Sequence, residues 1–130
     1  MINEKVKDYV EFIKSFDAKR LALLGKYYAR DCHIYDPLAE IRGLDDLRAM
    51  CKRLQPYLEK FKIVHHAYSK SKNVLLVRWD LKISVKGKIL VLSGASEVTF
   101  MGSGLILHQA NYWDSKEYFK ITKPLRSSLL

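Results

Sequence analysis

SGLILHQANYWDSKEYF, residues 103–119, runs from a glycine turn through a long segment of period two to a polar, aromatic tip. Leu105, Leu107, Gln109, Asn111 and Trp113 fall on one face of a strand here, and Ile106, His108, Ala110, Tyr112 and Asp114 on the other. Apolar side chains on both faces predict a central strand, covered on each side. The first face, however, carries two amides and an indole where a plain core would place Val or Ile. That composition reads as the wall of a mostly apolar pocket. In the plainer reading, Gln109 and Asn111 only satisfy neighbouring backbone groups.

Working outward, the same period of two recurs upstream at 61–69, 73–85 and 89–101, with glycine turns at 86–88 and 102–104. Nearer the N-terminus the period is helical. Val6, Tyr9, Val10, Ile13 and Phe16 stripe a helix over 3–16, Leu21, Leu24, Tyr27 and Tyr28 one over 18–29, and Asp45 and Asp46 open a third from Leu44 to about Leu58. Cys32 to Asp36 is expected as a short strand stopped by Pro37, followed by a loop, LAEIRG, closed by Gly43. Three helices, a short strand and a four-stranded antiparallel meander make an α+β domain spanning 1–130, its curved, cone-shaped sheet leaving a cavity under the helices. Whichever way the strand 74–83 is turned, either Leu75, Val77, Trp79 and Leu81 or Val74 and Leu76 face away from the helices. A homodimer through the outer sheet face is therefore expected.

The formal charge is +9. Residues 1–51 balance nine basic against nine acidic side chains, whereas 52–88 hold ten basic residues against Glu59 and Asp80. Lysines at 60, 62, 70, 72, 82, 86 and 88 lie on or beside one strand pair, where lysine keeps an edge soluble. A nucleic-acid face is the less favoured reading, because no helix-turn-helix, RNP or zinc pattern accompanies the charge. The sequence contains neither a span for a bilayer nor a signal-peptide pattern, so a cytoplasmic protein is expected. Cys32 and Cys51 have no metal-ligand spacing. His65 and His66 are adjacent on a strand and point apart, so no metal site is predicted, and no glycine-rich loop suggests a phosphate cofactor. The segment 116–130 is read as a cap on the cavity mouth through Tyr118, Phe119 and Ile121, or as a terminus packed elsewhere.

With DPLAEIRG, RWDLKI, SGASEVTF and HQANYWD in this order, nearly the whole chain resembles the nuclear transport factor 2-like superfamily, and within it SnoaL-like proteins. Ketosteroid isomerases, limonene epoxide hydrolases and polyketide cyclases share that fold. The resemblance implies a general base at Asp36, against the alternative of an Asp-Pro turn whose carboxylate serves loop amides. The isomerase oxyanion donors fall on Phe12, which has no donor, and on Ser96. Tyr9, one turn earlier, is a substitute donor. Arg78 and Asp80, two apart on a strand, resemble the epoxide hydrolase pair and are expected to form a salt bridge in the cavity, with Asn111 at the place of the third member. His33 shares a face with Tyr35 and is a partner for Asp36 or Asp80 in a His and Asp dyad.

The resulting expectation is an acid–base enzyme without a cofactor, acting on a hydrophobic carbonyl or epoxide compound. Asp36, Asp80 and Arg78 are its catalytic candidates. Tyr9, Phe12, His33, Tyr35, Ser96, Gln109, Asn111 and Trp113 are its substrate contacts. The alternative is a noncatalytic domain that binds a hydrophobic molecule or another protein.

Overall fold

The computed structural model describes residues 2–15 and 17–116. Phe16 and the proposed cap from residue 117 onward lie outside them. Helix α1, Ile2–Lys14, buries Val6, Tyr9, Val10 and Phe12. These four recur at helical spacing and form the stripe that faces the sheet. A 3-10 segment, Ala18–Leu23, leads into a single helical turn, α2, Leu24–Tyr27. The second helix expected to reach residue 29 is thus shorter, because Tyr28 already pairs with Ile106 as the first residue of strand β1, Tyr28–Tyr35. Strand pairing overrides a local helical pattern here.

The expected LAEIRG loop contains a strand, β2, Glu40–Arg42, that pairs back on β1 through Ile34 and Ile41. Helix α3 spans Leu44–Leu54 and passes into a 3-10 turn, Gln55–Tyr57, four residues earlier than predicted for its end at about Leu58. Pro56 in that turn has no N–H to continue the helix. Strands β3, Leu58–Ser69, β4, Val74–Val85, β5, Lys88–Phe100, and β6, Ile106–Trp113, follow as the antiparallel meander.

The six strands form one curved mixed sheet in the order β2-β1-β6-β5-β4-β3. Its mixed character comes from β1, which lies parallel to β6. The last strand is therefore interior, flanked by β1 and β5, and β3 with Lys60 and Lys62 is an edge. Register shifts between Tyr28 and His33 on β1, and between Thr99 and Phe100 on β5, alter the facing at the start of β6. Ile106 is fully buried, as are Leu75 and Val98, although parity had assigned the core face to Leu105 and Leu107. A bulge reverses alternation locally. Beyond it, Gln109, Asn111 and Trp113 face the cavity and Tyr112 is exposed.

On β4, Leu75, Val77, Trp79 and Ile83 point inward, so Val74, Leu76, Arg78, Asp80 and Lys82 lie on the other side of the sheet. That outer face exposes Leu76, Val91 and Tyr112. Among the described residues no helix is long and apolar enough to cross a membrane. Trp79 lies opposite Gly94, which is opposite Trp113 on the next strand. A Cβ at Gly94 would stand 2.6 Å from the Trp79 ring and 2.7 Å from the Tyr112 carbonyl oxygen. The missing side chain is what allows the indole to approach the Gly94 backbone so closely. Gly94→Ala is expected to lower stability by about 1–3 kcal/mol, the range for overpacking a core. Gly102→Ala, which adds a methyl group to open space, is the control. Urea unfolding of both variants checks this, and equal midpoints would contradict it.

Candidate active site

Between the helices and the inner sheet face lies a cavity of about 470 Å³, walled largely by apolar side chains such as Phe12, Ile34, Val77, Leu81, Leu92 and Val98. Its polar groups gather where β1 and β6 run side by side. Asp36 follows the last residue of β1, and Pro37 ends the strand there. The Asp36 and Ala39 backbones exchange two hydrogen bonds of 3.2 Å, closing a turn, and Leu38 N donates to Asp36 Oδ1 at 3.0 Å. The other carboxylate oxygen enters the cavity: Asn111 Nδ2 donates to Oδ2 at 3.0 Å and Trp113 Nε1 at 3.3 Å. The turn reading and the cavity reading of Asp36 thus each hold for one oxygen.

From Asp36 a chain of hydrogen bonds runs back along the wall. Gln109 Nε2 donates to Asn111 Oδ1 at 2.8 Å, and Tyr28 donates its hydroxyl to Gln109 Oε1 at 2.6 Å. With that proton committed, Tyr9 is the donor in its 2.8 Å bond to the Tyr28 oxygen. A branch adds Ser96, which donates to Asn111 Oδ1 at 2.7 Å and accepts from Trp79 Nε1 at 2.9 Å. The direction of every link follows from the two ends. An indole can only donate and an ionised carboxylate can only accept, so both amide groups between them have one consistent orientation.

Burial raises the pKa of Tyr9 to about 12, an effect opposed by its bond to Tyr28. Burial likewise pushes Tyr28 well above its ordinary value, and the neighbouring Tyr9 adds to the shift. Both phenols are therefore neutral near pH 7 and keep their protons in the chain. Cys51, which also lines the cavity, is pushed up to about 12 by burial, and burial is the main cause of the rise at Cys32. Such thiols are poor nucleophiles.

Of the sequence candidates, Tyr9, Phe12, Asp36, Ser96, Gln109, Asn111 and Trp113 line this one cavity. Four do not. Arg78 and Asp80 lie on the outer sheet face without the expected salt bridge. Asp80 instead accepts from Ser93 Oγ at 2.7 Å. Their displacement follows from β4 parity, which turns Trp79 inward. His33 and Tyr35 also face outward, because Cys32 and Ile34 occupy the inner side of β1. His33 Nε2 sits 2.7 Å from Glu40 Oε1, and its ring packs edge-on against Tyr35. The His and Asp dyad is consequently not assembled. Phe12 stacks on Tyr27 with ring centroids 4.3 Å apart. Tyr28 joins the site through its hydroxyl, although its helical spacing from Leu21 and Leu24 predicts only a core position. Among the described residues no group of three or more His, Cys, Asp or Glu side chains could hold a metal ion.

The model of the SnoaL-like domain matches residues 7–109. No curated protein matches the chain. Among solved structures, it resembles a SnoaL-like protein from Shewanella denitrificans (17% identity, TM-score 0.69), with 95% of this chain and 97% of that one covered. It also resembles a steroid delta-isomerase from Pseudomonas aeruginosa (14%, TM-score 0.74), with 98% and 89% covered. A protein of ketosteroid isomerase-like fold from Catenulispora acidiphila, in complex with trimethylamine, aligns at 14% identity and TM-score 0.71, with 92% of each chain covered. At these identities the likeness is one of fold.

The raised acids set a pH dependence. A group whose folded-state pKa lies above its unfolded value binds more protons when folded, so its stabilisation is full below the unfolded value and is lost as pH rises through the folded one. For Cys51 and Tyr9 that window runs from their ordinary values of 9.0 and 10.0 to about 12. The urea midpoint is expected to fall progressively above pH 9, and less steeply between pH 9 and 10 in Cys51→Ala. A midpoint level up to pH 12 would contradict the burial of these groups.

Proposed function

The chain belongs to the SnoaL-like domain family, and on that premise we propose that it is an acid–base enzyme that moves a proton beside the carbonyl group of an apolar, ring-sized substrate. The observation that carries this reading is the carboxylate of Asp36 on the wall of an apolar cavity, with acceptor capacity left on it. Of its roughly four lone-pair sites, two on Oδ2 and one on Oδ1 are taken by N–H donors. The carboxylate thus keeps acceptor capacity beyond these three bonds, and in this reading it is the proton acceptor. In the forward step Asp36 takes a proton from the carbon next to the carbonyl. The C–H electron pair becomes the carbon–carbon double bond of an enolate, and the carbonyl π pair passes to oxygen. In the second step the enolate collapses and the Asp36 carboxyl group delivers a proton to carbon, so in D2O a carboxyl hydrogen that has exchanged with solvent enters the substrate as deuterium.

An epoxide-opening reaction has less support. It needs a group that delivers a proton to the departing oxygen, and Arg78 and Asp80 stand on the opposite face of the sheet from the cavity. Exchange of α-hydrogen for deuterium in a panel of cyclic ketones, followed by proton NMR, tests the proposal. Asp36→Asn is expected to slow exchange by about 10²–10⁴-fold, the usual contribution of a general base, and Asp80→Asn to leave it at the native rate. If the native protein accelerates no exchange, or if Asp36→Asn exchanges as fast as native, the domain is a ligand carrier rather than this enzyme.

A further inference from the structure

A base that makes an enolate needs donors for the oxygen, where charge develops, and preorganised donors are among the strongest contributors to such reactions. The hydroxyls that sequence comparison offers for this task are engaged. Ser96 donates to Asn111 and Tyr9 donates to Tyr28, while Phe12 has nothing to donate. The indole of Trp79 is given to Ser96 and that of Trp113 to Asp36. The two amides differ. Each NH2 group has two hydrogens and uses one within the protein, Gln109 toward Asn111 and Asn111 toward Asp36. Among the described residues each keeps a second N–H with no protein partner, on a half-buried side chain that lines the cavity.

We propose that these two remaining N–H groups, of Gln109 and Asn111, receive the substrate's carbonyl oxygen and hold the enolate beside Asp36. The inference rests on the reading of Asp36 as the base and narrows its substrates to ketones and related carbonyl compounds. Amide N–H groups stabilise an oxyanion by hydrogen bonding but do not surrender a proton to it. The oxygen therefore stays an enolate, and the only proton that moves is the one carried by Asp36. That balance suits isomerisation or epimerisation next to a carbonyl, in which no proton is gained or lost overall. It does not suit opening a ring at oxygen. Tyr28 and Tyr9 act through the amides as positioning residues, because Tyr28, itself held by Tyr9, donates to Gln109 Oε1 and so keeps its NH2 group turned along the wall toward Asn111.

The test compares 2-tetralone with tetralin, the same bicyclic frame without the carbonyl, by calorimetric titration. The native protein is expected to prefer the ketone. Gln109→Met and Asn111→Leu, which keep side-chain volume and remove the donors, should each reduce that preference by about 3- to 10-fold, the weight of one hydrogen bond. Tetralin binding by each variant reports that the cavity is still formed. A second measurement needs no variant: the carbonyl stretching frequency of 2-tetralone bound to the native protein should lie below its value in dry hexane. A native protein with no preference for the ketone, a preference untouched by both substitutions, or an unshifted carbonyl band would each overturn the proposal. Deuterium exchange reports on Asp36 and ketone preference on the amides, so failure of one claim is distinguishable from failure of the other.

Discussion

One-way hydrogen-bonding groups at two ends of a short network govern this site. The Trp79 indole can donate only, and the Asp36 carboxylate can accept only. Ser96, Asn111, Gln109, Tyr28 and Tyr9 connect to these ends, and all could in principle be reversed, since hydroxyls and amides both donate and accept. Fixing the ends removes that freedom. Asn111 must turn its nitrogen to Asp36 and its oxygen to Ser96 and Gln109. Gln109 must then turn its oxygen to Tyr28. Reversing any one link would set oxygen against oxygen or N–H against N–H in a partly buried place, where an unmet polar group costs about 1–3 kcal/mol.

The fold supplies this network by pairing β1 parallel to β6. Tyr28, at the start of β1, and Asp36, just past its end, meet Gln109 and Asn111 on one neighbouring strand, contacts that span 81 and 75 residues of sequence. On the other side of β6, Ser96 is directly opposite Asn111, and Gly94 makes room for the indole that anchors Ser96. Helix α1 closes the layer from above with Tyr9. Each group is thus held by a rigid element rather than a loop, apart from Asp36, whose Asp-Pro turn is fixed by its own backbone bonds. Rigid support of this kind is what a reacting carboxylate needs, because small misplacements are costly in rate.

The pocket wall on Gln109, Asn111 and Trp113 was legible because period two is unambiguous over short distances and amides are conspicuous in an apolar strand. The start of the same strand was not. Bulging near Ile106 depends on how β1 and β5 pair with it, and single-strand parity has no information about partners. For Arg78 and Asp80 period two establishes a shared face but not its direction, and the resemblance that points them inward is not matched by β4, which turns Trp79 to the cavity. The strand's own residues, with Leu75, Val77, Trp79 and Leu81 against Val74 and Leu76, carry more apolar weight on the other face. Tyr28 illustrates a third difficulty. Its spacing from Leu21, Leu24 and Tyr27 fits a helix, and only the long-range pairing with Ile106 makes it a strand residue whose hydroxyl reaches the site.

If the network is one directional unit, its distant members are energetically coupled although they do not touch. A double-mutant cycle on Asp36→Ala and Tyr28→Phe, read by urea unfolding, measures this most directly. With the carboxylate gone, Asn111 and Gln109 are free to turn over, so removing the Tyr28 hydroxyl should cost less than it does in the native protein. The account predicts a coupling energy of about 0.5–3 kcal/mol, the range for residues sharing one network. Additive losses would contradict it, and would mean that Asp36 does not set the orientation of the groups behind it.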